Sequence, residues 1–168
     1  MADIPLDQLV RQFEDRVAPD KAAADMPCLW VPAENLTELC LYLRDDEALR
    51  FNFLSDICGV DFHPESPRFQ LVYHLVSIPN LWRLRLKCWL GDPPVAPTIT
   101  GIWTTANWHE REAYDMYGIH FDGHPDLRRL YMWDGFGGYP MRRDFPLRGY
   151  RDDLNPLGAE RRNNGGEP

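Results

Sequence analysis

The 168-residue chain lacks any run approaching the roughly 18 apolar residues that cross a bilayer. Met1 to Val17 has neither the basic start nor the apolar block of a secretion signal. The expectation is a soluble chain that stays where it is made. Its four cysteines, Cys28, Cys40, Cys58 and Cys88, include no C-x-x-C pair, the close spacing by which iron–sulfur and zinc sites usually declare themselves. They read as small buried hydrophobes in a reducing compartment. Positive charge is also in short supply: a net charge of −8 argues against nucleic acid or an acidic membrane surface as the main partner. There is no G-x-S-x-G, and "GFGGY" at 135–139 lacks the spacing and preceding strand of a dinucleotide fingerprint.

What is present is enough for one ordinary domain, and 44% hydrophobic with 12% aromatic residues is the composition of a folded protein. "PLDQLVRQFEDRV" places Leu6, Leu9, Val10, Phe13 and Val17 on one helical stripe, closed by Pro19. After the apolar run "CLWV", a second helix is expected past Pro32, with Leu36, Leu39, Cys40 and Leu43 at helical spacing. "FNFLSDICGVDF" reads as a strand. "FQLVYHLVSI" is apolar on both faces, as a central strand would be, and "LWRLRLKCWL" alternates; the two form a hairpin turning at "PN". The fold class is therefore α+β, a small N-terminal domain over 1–91 with two helices on a mostly antiparallel sheet.

From Gly91 the texture changes. Residues 92–104 read as a proline-rich connector and 105–118 as a short helix, with Thr105 or Asn107 as its cap and Gly118 as its stop. Residues 119–168 read as a long irregular extension. Residues 118–168 hold 9 of the 12 glycines, no sustained periodicity, and many large apolar groups; every one of their eight cations is arginine. Such a segment makes sense lying extended on another protein. The polar end "RRNNGGEP" is expected to be loose.

The densest chemistry is in "WHEREAYDMYGIHFDGHPDLRR". A zinc-protease H-E-x-x-H is absent because Ala113 stands at the second histidine position. His109 with Glu112, or His120 with His124, offers only scattered ligand pairs separated by the Gly118 stop. Glu110, Glu112 and Asp115 beside Trp103 and Trp108 suggest an acid–base pair on an aromatic floor, the reading of a free-standing acidic carbohydrate-active enzyme. Against it, Arg111 and Asp115 lie at i, i+4, where an ion pair is expected, and Glu110 and Glu112 diverge to different faces. Spacing alone names no cofactor site.

The same stretch, Glu110-Arg111-Glu112-x-Tyr114-Asp115-x-x-Gly118-Ile119-x-Phe121-x-x-His124-Pro125-x-Leu127-Arg128-Arg129, resembles the signature of the NuoC family, the C subunits of respiratory complex I, the NADH:quinone oxidoreductase. The likeness continues through "GGYPMRRDFPLRGY", which contains Arg142, Arg143 and Asp144, and upstream through "LRFNFLSDICGVD" and "VYHLVS". Tyr139 stands where many members have histidine, and "LYMWDGF" is atypical. The resemblance implies a structural component of the hydrophilic arm without catalytic residues, iron–sulfur cluster, flavin or nucleotide of its own. FMN, the clusters, NADH and quinone would be bound by other subunits. Its extension would wrap the quinone-site D subunit, with the iron–sulfur B and I subunits adjacent, on the cytoplasmic side of the inner membrane as a peripheral component. Arg128, Arg129, Arg142 and Arg143 would then reach carboxylates or carbonyls of the partner. Equivalent subunits of a membrane-bound hydrogenase or of the photosynthetic NDH complex share this signature and remain open alternatives.

Overall fold

A computed structural model describes residues 4–13 and 16–160. Helix α1 (Leu6–Gln12) follows Pro5 and ends short of the stretch expected to be helical; the end "RRNNGGEP" lies outside the described residues. The sheet has the order β1-β2-β5-β4-β3, from Ala18–Pro19, Cys28–Trp30, Trp82–Leu90, Phe69–Ser77 and Phe53–Asp61 respectively. Strands β3, β4 and β5 form an antiparallel meander, in which β4 is interior as its two apolar faces imply. The run "CLWV" supplies β2, which pairs parallel to β5. Three residues are too few to show a period in sequence; the non-local pairing makes the strand.

Helix α2 (Leu36–Asp45) follows a single 3-10 turn (Ala33–Asn35) after Pro32 and buries Leu36, Leu39, Cys40 and Leu43. These meet the inward row of the sheet, Leu71, Tyr73 and Leu75 of β4 and Leu84, Leu86, Cys88 and Leu90 of β5. Leu9, Phe13 and Val17 complete that core from the N-terminal side. Each fully buried large aliphatic side chain contributes roughly 1.5–3 kcal/mol.

The range read as a connector carries a further strand, β6 (Val95–Pro97), and the segment after Gly118 carries its partner, β7 (His120–Asp122). The two pair in parallel, which requires a crossover, and the crossover is helix α3 (Ala106–Tyr117) lying against β3. Ala96, Ile99, Ile119 and Phe121 are buried with the main core, and the Trp103 indole N–H donates to the Phe51 carbonyl at 3.2 Å. The signature helix is thereby framed on both sides. Thr105 occupies the position before its first turn, but its hydroxyl donates to the Leu54 carbonyl and does not cap the helix.

Candidate functional site

Helix α3 is polar by composition, yet three of its charged side chains face inward. Glu110 and Asp115 are wholly buried and Arg111 nearly so. A buried charge is costly unless paired or hydrogen-bonded, so each must find partners.

Glu110 Oε1 accepts the Ile99 N–H at 2.8 Å and Oε2 the Thr98 hydroxyl at 2.6 Å. The equally enclosed His124 side chain places Nε2 3.9 Å from Oε2 and 3.3 Å from the Asn107 carbonyl. Burial pushes the Glu110 carboxyl up to about 7, against the two hydrogen bonds that favour its charge. Glu110 thus ties the turn after β6 to the centre of α3.

Asp115 turns the other way. Its Oδ2 accepts the N–H groups of Leu130, Tyr131 and Met132 at 2.9, 2.7 and 3.0 Å, and Oδ1 accepts Arg129 Nη1 at 3.1 Å. Successive backbone N–H groups converging on one carboxylate form an anion-binding concavity. Arg111 donates from Nε to the Arg128 carbonyl at 3.0 Å and from Nη2 to that of Arg129 at 3.3 Å. The expected Arg111–Asp115 ion pair is therefore not made; both side chains take their partners from residues 128–132. An exposed i, i+4 pair contributes only a few tenths of a kcal/mol, whereas charge-assisted bonds to buried backbone groups are stronger.

Gly118 ends α3 at φ 72°. A Cβ there would lie 2.5 Å from the Tyr139 ring, so the left-handed turn and the close approach both require glycine. Tyr139 itself meets Tyr114 edge-on and covers the guanidinium groups of Arg142, 4.4 Å from the ring centre, and Arg129, 5.3 Å away. Tyrosine at this position thus serves as an aromatic lid over two cations. Glu112, Pro125, Arg128 and Arg143 are exposed; Arg128 pairs with neighbouring Asp126 at 2.9 Å.

A second anchor was not apparent from spacing. Arg68 grips Asp61 with Nε and Nη2, both at 2.8 Å, and Asp144 with Nη2 at 2.7 Å. Asp61 also accepts the N–H of His63 and that of Arg143, each at 2.9 Å. Burial opposes ionisation of Asp61, but Arg68 and these N–H groups outweigh it and hold the carboxyl well below the usual range. Arg142 donates to the Tyr117 carbonyl at 2.6 Å and lies between Phe69 and Tyr139. The available signal was parity: Ile57, Gly59 and Asp61 share one strand face, so a carboxylate at that position points inward and needs a cation. Arg129 and Arg142 thus bond within the chain, and the site fixes residues 119–145 onto α3 and the β3–β4 hairpin.

Three cysteines, Cys28, Cys40 and Cys88, are buried as expected, but Cys58 is half-buried and donates to Asp56 Oδ2 at 2.7 Å. Cys58 is thus a partly enclosed hydrogen-bond donor and not a core hydrophobe.

Residues 29–151 match the family described as "Respiratory-chain NADH dehydrogenase, 30 Kd subunit". The NADH-quinone oxidoreductase C 2 subunit of Rhizobium etli (strain CIAT 652) is 60% identical over 152 residues, 90% of this chain and 81% of that protein. Its namesake in Rhizobium meliloti (strain 1021) is 59% identical over 157 residues, covering 94% and 86%. Among solved structures, the trypsin-resistant fragment (1-134) of Nqo5 superposes with a TM-score of 0.62 at 32% identity, over 74% of this chain and all of that one. The membrane-bound sulfane sulfur reductase, an archaeal respiratory membrane complex, gives 0.72 at 22% identity over 84% of each chain, a likeness of fold alone. On the residues matched and the identities spanning most of both chains, the protein belongs to the NuoC family, the C subunits of NADH-quinone oxidoreductase and 30 Kd subunits of the respiratory-chain NADH dehydrogenase.

Proposed function

We propose that the chain braces the hydrophilic arm of the complex without supplying a catalytic residue, and that its segment from residue 119 onward lies along the quinone-site D subunit, with the B and I subunits adjacent. The observation that carries this reading is the two-sided character of that segment. Its inner side is bonded to α3 and the hairpin through Asp115, Arg129, Asp61, Arg68 and Arg142. Its outer side presents Tyr131, Trp133, Met141, Leu147, Leu154 and Leu157, each between 48% and 104% exposed. Large apolar groups held outward on a fixed scaffold suit burial against a neighbouring protein.

No helix among the described residues is long and apolar enough to cross a membrane. In the proposed arrangement the chain attaches to the membrane through the rest of the complex, on the cytoplasmic side. FMN, the iron–sulfur clusters, NADH and quinone would then sit on other subunits, and the chemistry of this chain would be that of holding shape. The related trypsin-resistant Nqo5 fragment supports a division between a stable body and a tail more open to protease. In the free chain, trypsin should cleave at exposed Arg148 and Arg151, and in the complex these sites should be protected. A compact free monomer with an equally protected tail would overturn the reading, as would recovery of the tagged chain from gently solubilised membranes without the D subunit.

A further inference from the structure

The outer face of the sheet, opposite α2, carries a row of side chains that the bracing role does not use. Strands β3 and β4 place Asp56 and His74 directly opposite one another, and Cys58 lies two residues on, on the same face as Asp56. One ligand atom from each of Asp56, Cys58 and His74 lies within 4.8 Å of the other two. We infer that Asp56, Cys58 and His74 form a site for a divalent cation of zinc-like character on the β3–β4 hairpin.

The donor set carries the choice of metal. One thiol sulfur, one imidazole nitrogen and one carboxylate oxygen match the ligands that zinc accepts and are a poor set for magnesium or calcium, which take oxygen. Zinc bonds of roughly 2.0–2.3 Å bring ligand atoms within about 4 Å of each other, so side-chain shifts of about 1 Å close the site. Three protein ligands leave a fourth position for water. The surroundings are arranged for positive charge. His109 of α3 places Nδ1 3.3 Å from Asp56 Oδ1. A cavity of about 250 Å³ between β3 and α3 is lined by Asp56 and Cys58 together with Glu112, Met116 and Met141.

A cation already stands at the site. Arg85 Nε donates to His74 Nε2 at 3.1 Å, while its Nη1 and Nη2 are held by Asp25 at 3.0 and 2.7 Å. Because it accepts that N–H, His74 Nε2 presents a lone pair. The Cys58 thiol donates to Asp56 Oδ2 at 2.7 Å, and a bound metal would displace that proton to solvent. A metal bound at His74 Nε2 would replace one hydrogen bond from Arg85, whose Nη1 and Nη2 remain on Asp25.

The test titrates the full chain with Co²⁺ and then competes it with Zn²⁺. The expected result is one ion per chain, with a thiolate-to-cobalt charge-transfer band that zinc abolishes. Cys58→Ser should remove the band, His74→Gln and Asp56→Asn should weaken binding roughly tenfold or more, and Arg85→Gln should tighten it by removing the competing cation. Thermal unfolding of each variant verifies the fold; should Cys58→Ser fail to fold, the His74 and Asp56 variants decide. Absence of the band in the native chain, its persistence in Cys58→Ser, or unchanged affinity in His74→Gln and Asp56→Asn would each overturn the site.

Discussion

Asp115 and Arg129 meet at 3.1 Å with the carboxylate wholly enclosed and three further N–H groups from residues 130–132 closing on it. The pair joins the last turns of α3 to residues 129–145, the strap that follows β7. Replacing Asp115 by alanine leaves Arg129 and three backbone donors without their acceptor, and a cost of about 3–5 kcal/mol is expected. Chemical denaturation of the isolated chain measures this. In membranes, Asp115→Ala should lower the amount of assembled complex more than the turnover of each complex that assembles; normal assembly with lost quinone reduction would contradict the bracing role.

Glu110 predicts a pH dependence of opposite sense to that of ordinary carboxylates. Its folded pKa, about 7, lies above the ordinary value of 4.5 because burial disfavours the charge. The folded state therefore binds the proton more tightly than the unfolded state. The favourable contribution is complete below about pH 4.5 and is lost as pH rises towards 7. Glu110→Gln, which keeps an acceptor for Ile99 and offers a donor to Thr98, should flatten this slope. Relative to the native chain it should gain on the order of 3 kcal/mol between pH 4.5 and pH 8, read from denaturation midpoints at each pH.

Asp61 has the reverse sign. Its carboxyl is held below the usual range, so its contribution is present above its ordinary pKa of 3.8 and fades as pH falls below that value. Arg68→Ala should cost about 3–5 kcal/mol at neutral pH, because Asp61 stays buried with only N–H partners. Asp61→Asn should make unfolding below pH 4 less steep. Hydrogen exchange at the Arg143 amide reports whether the strap has detached in each variant.

Leu154 and Leu157 test the outward side. They are 77% and 81% exposed on a loop closed by the bridge between Tyr150 and Ala159 and by Asn155, whose side-chain amide donates to the carbonyls of Arg148 and Tyr150. Leu154→Asp with Leu157→Asp should leave the melting temperature of the free chain within about a degree or two, since exposed substitutions change stability by less than about 0.5 kcal/mol. Co-purification with the neighbouring subunits should fall severalfold. Unchanged recovery would mean that this loop faces water in the complex.

Much of this architecture is written in local periodicity. Helix α2 and strand β5 follow from 3.6- and 2-residue repeats that bury one face, β4 from a run apolar on both faces, and Gly118 from the need for a left-handed stop. Strands β2, β6 and β7 do not, because each has three residues and exists through parallel pairing with a distant segment. The site divides in the same way. That Glu110, Arg111 and Asp115 matter is visible from their crowding. Which atoms they meet is not, since helical spacing tells which side chains share a face and nothing of what is packed opposite. Arg111 and Asp115 look like partners for that reason, and each is satisfied by backbone 15 to 18 residues further on.

The buried carboxylates also differ in when their partners become available. Glu110 is met by Thr98 and Ile99, already synthesised when α3 forms, whereas Asp115 waits for residues 129–132 and Asp61 for Arg143, 82 positions later. A nascent chain halted before residue 128 would hold a helix with an inward carboxylate and no counter-charge. One halted before 143 would have Asp61 held by Arg68 and the His63 N–H alone. The strap is thus the last part of the described body to be made, and the completed interior becomes the condition for an ordered outer face, the face proposed to meet neighbouring subunits.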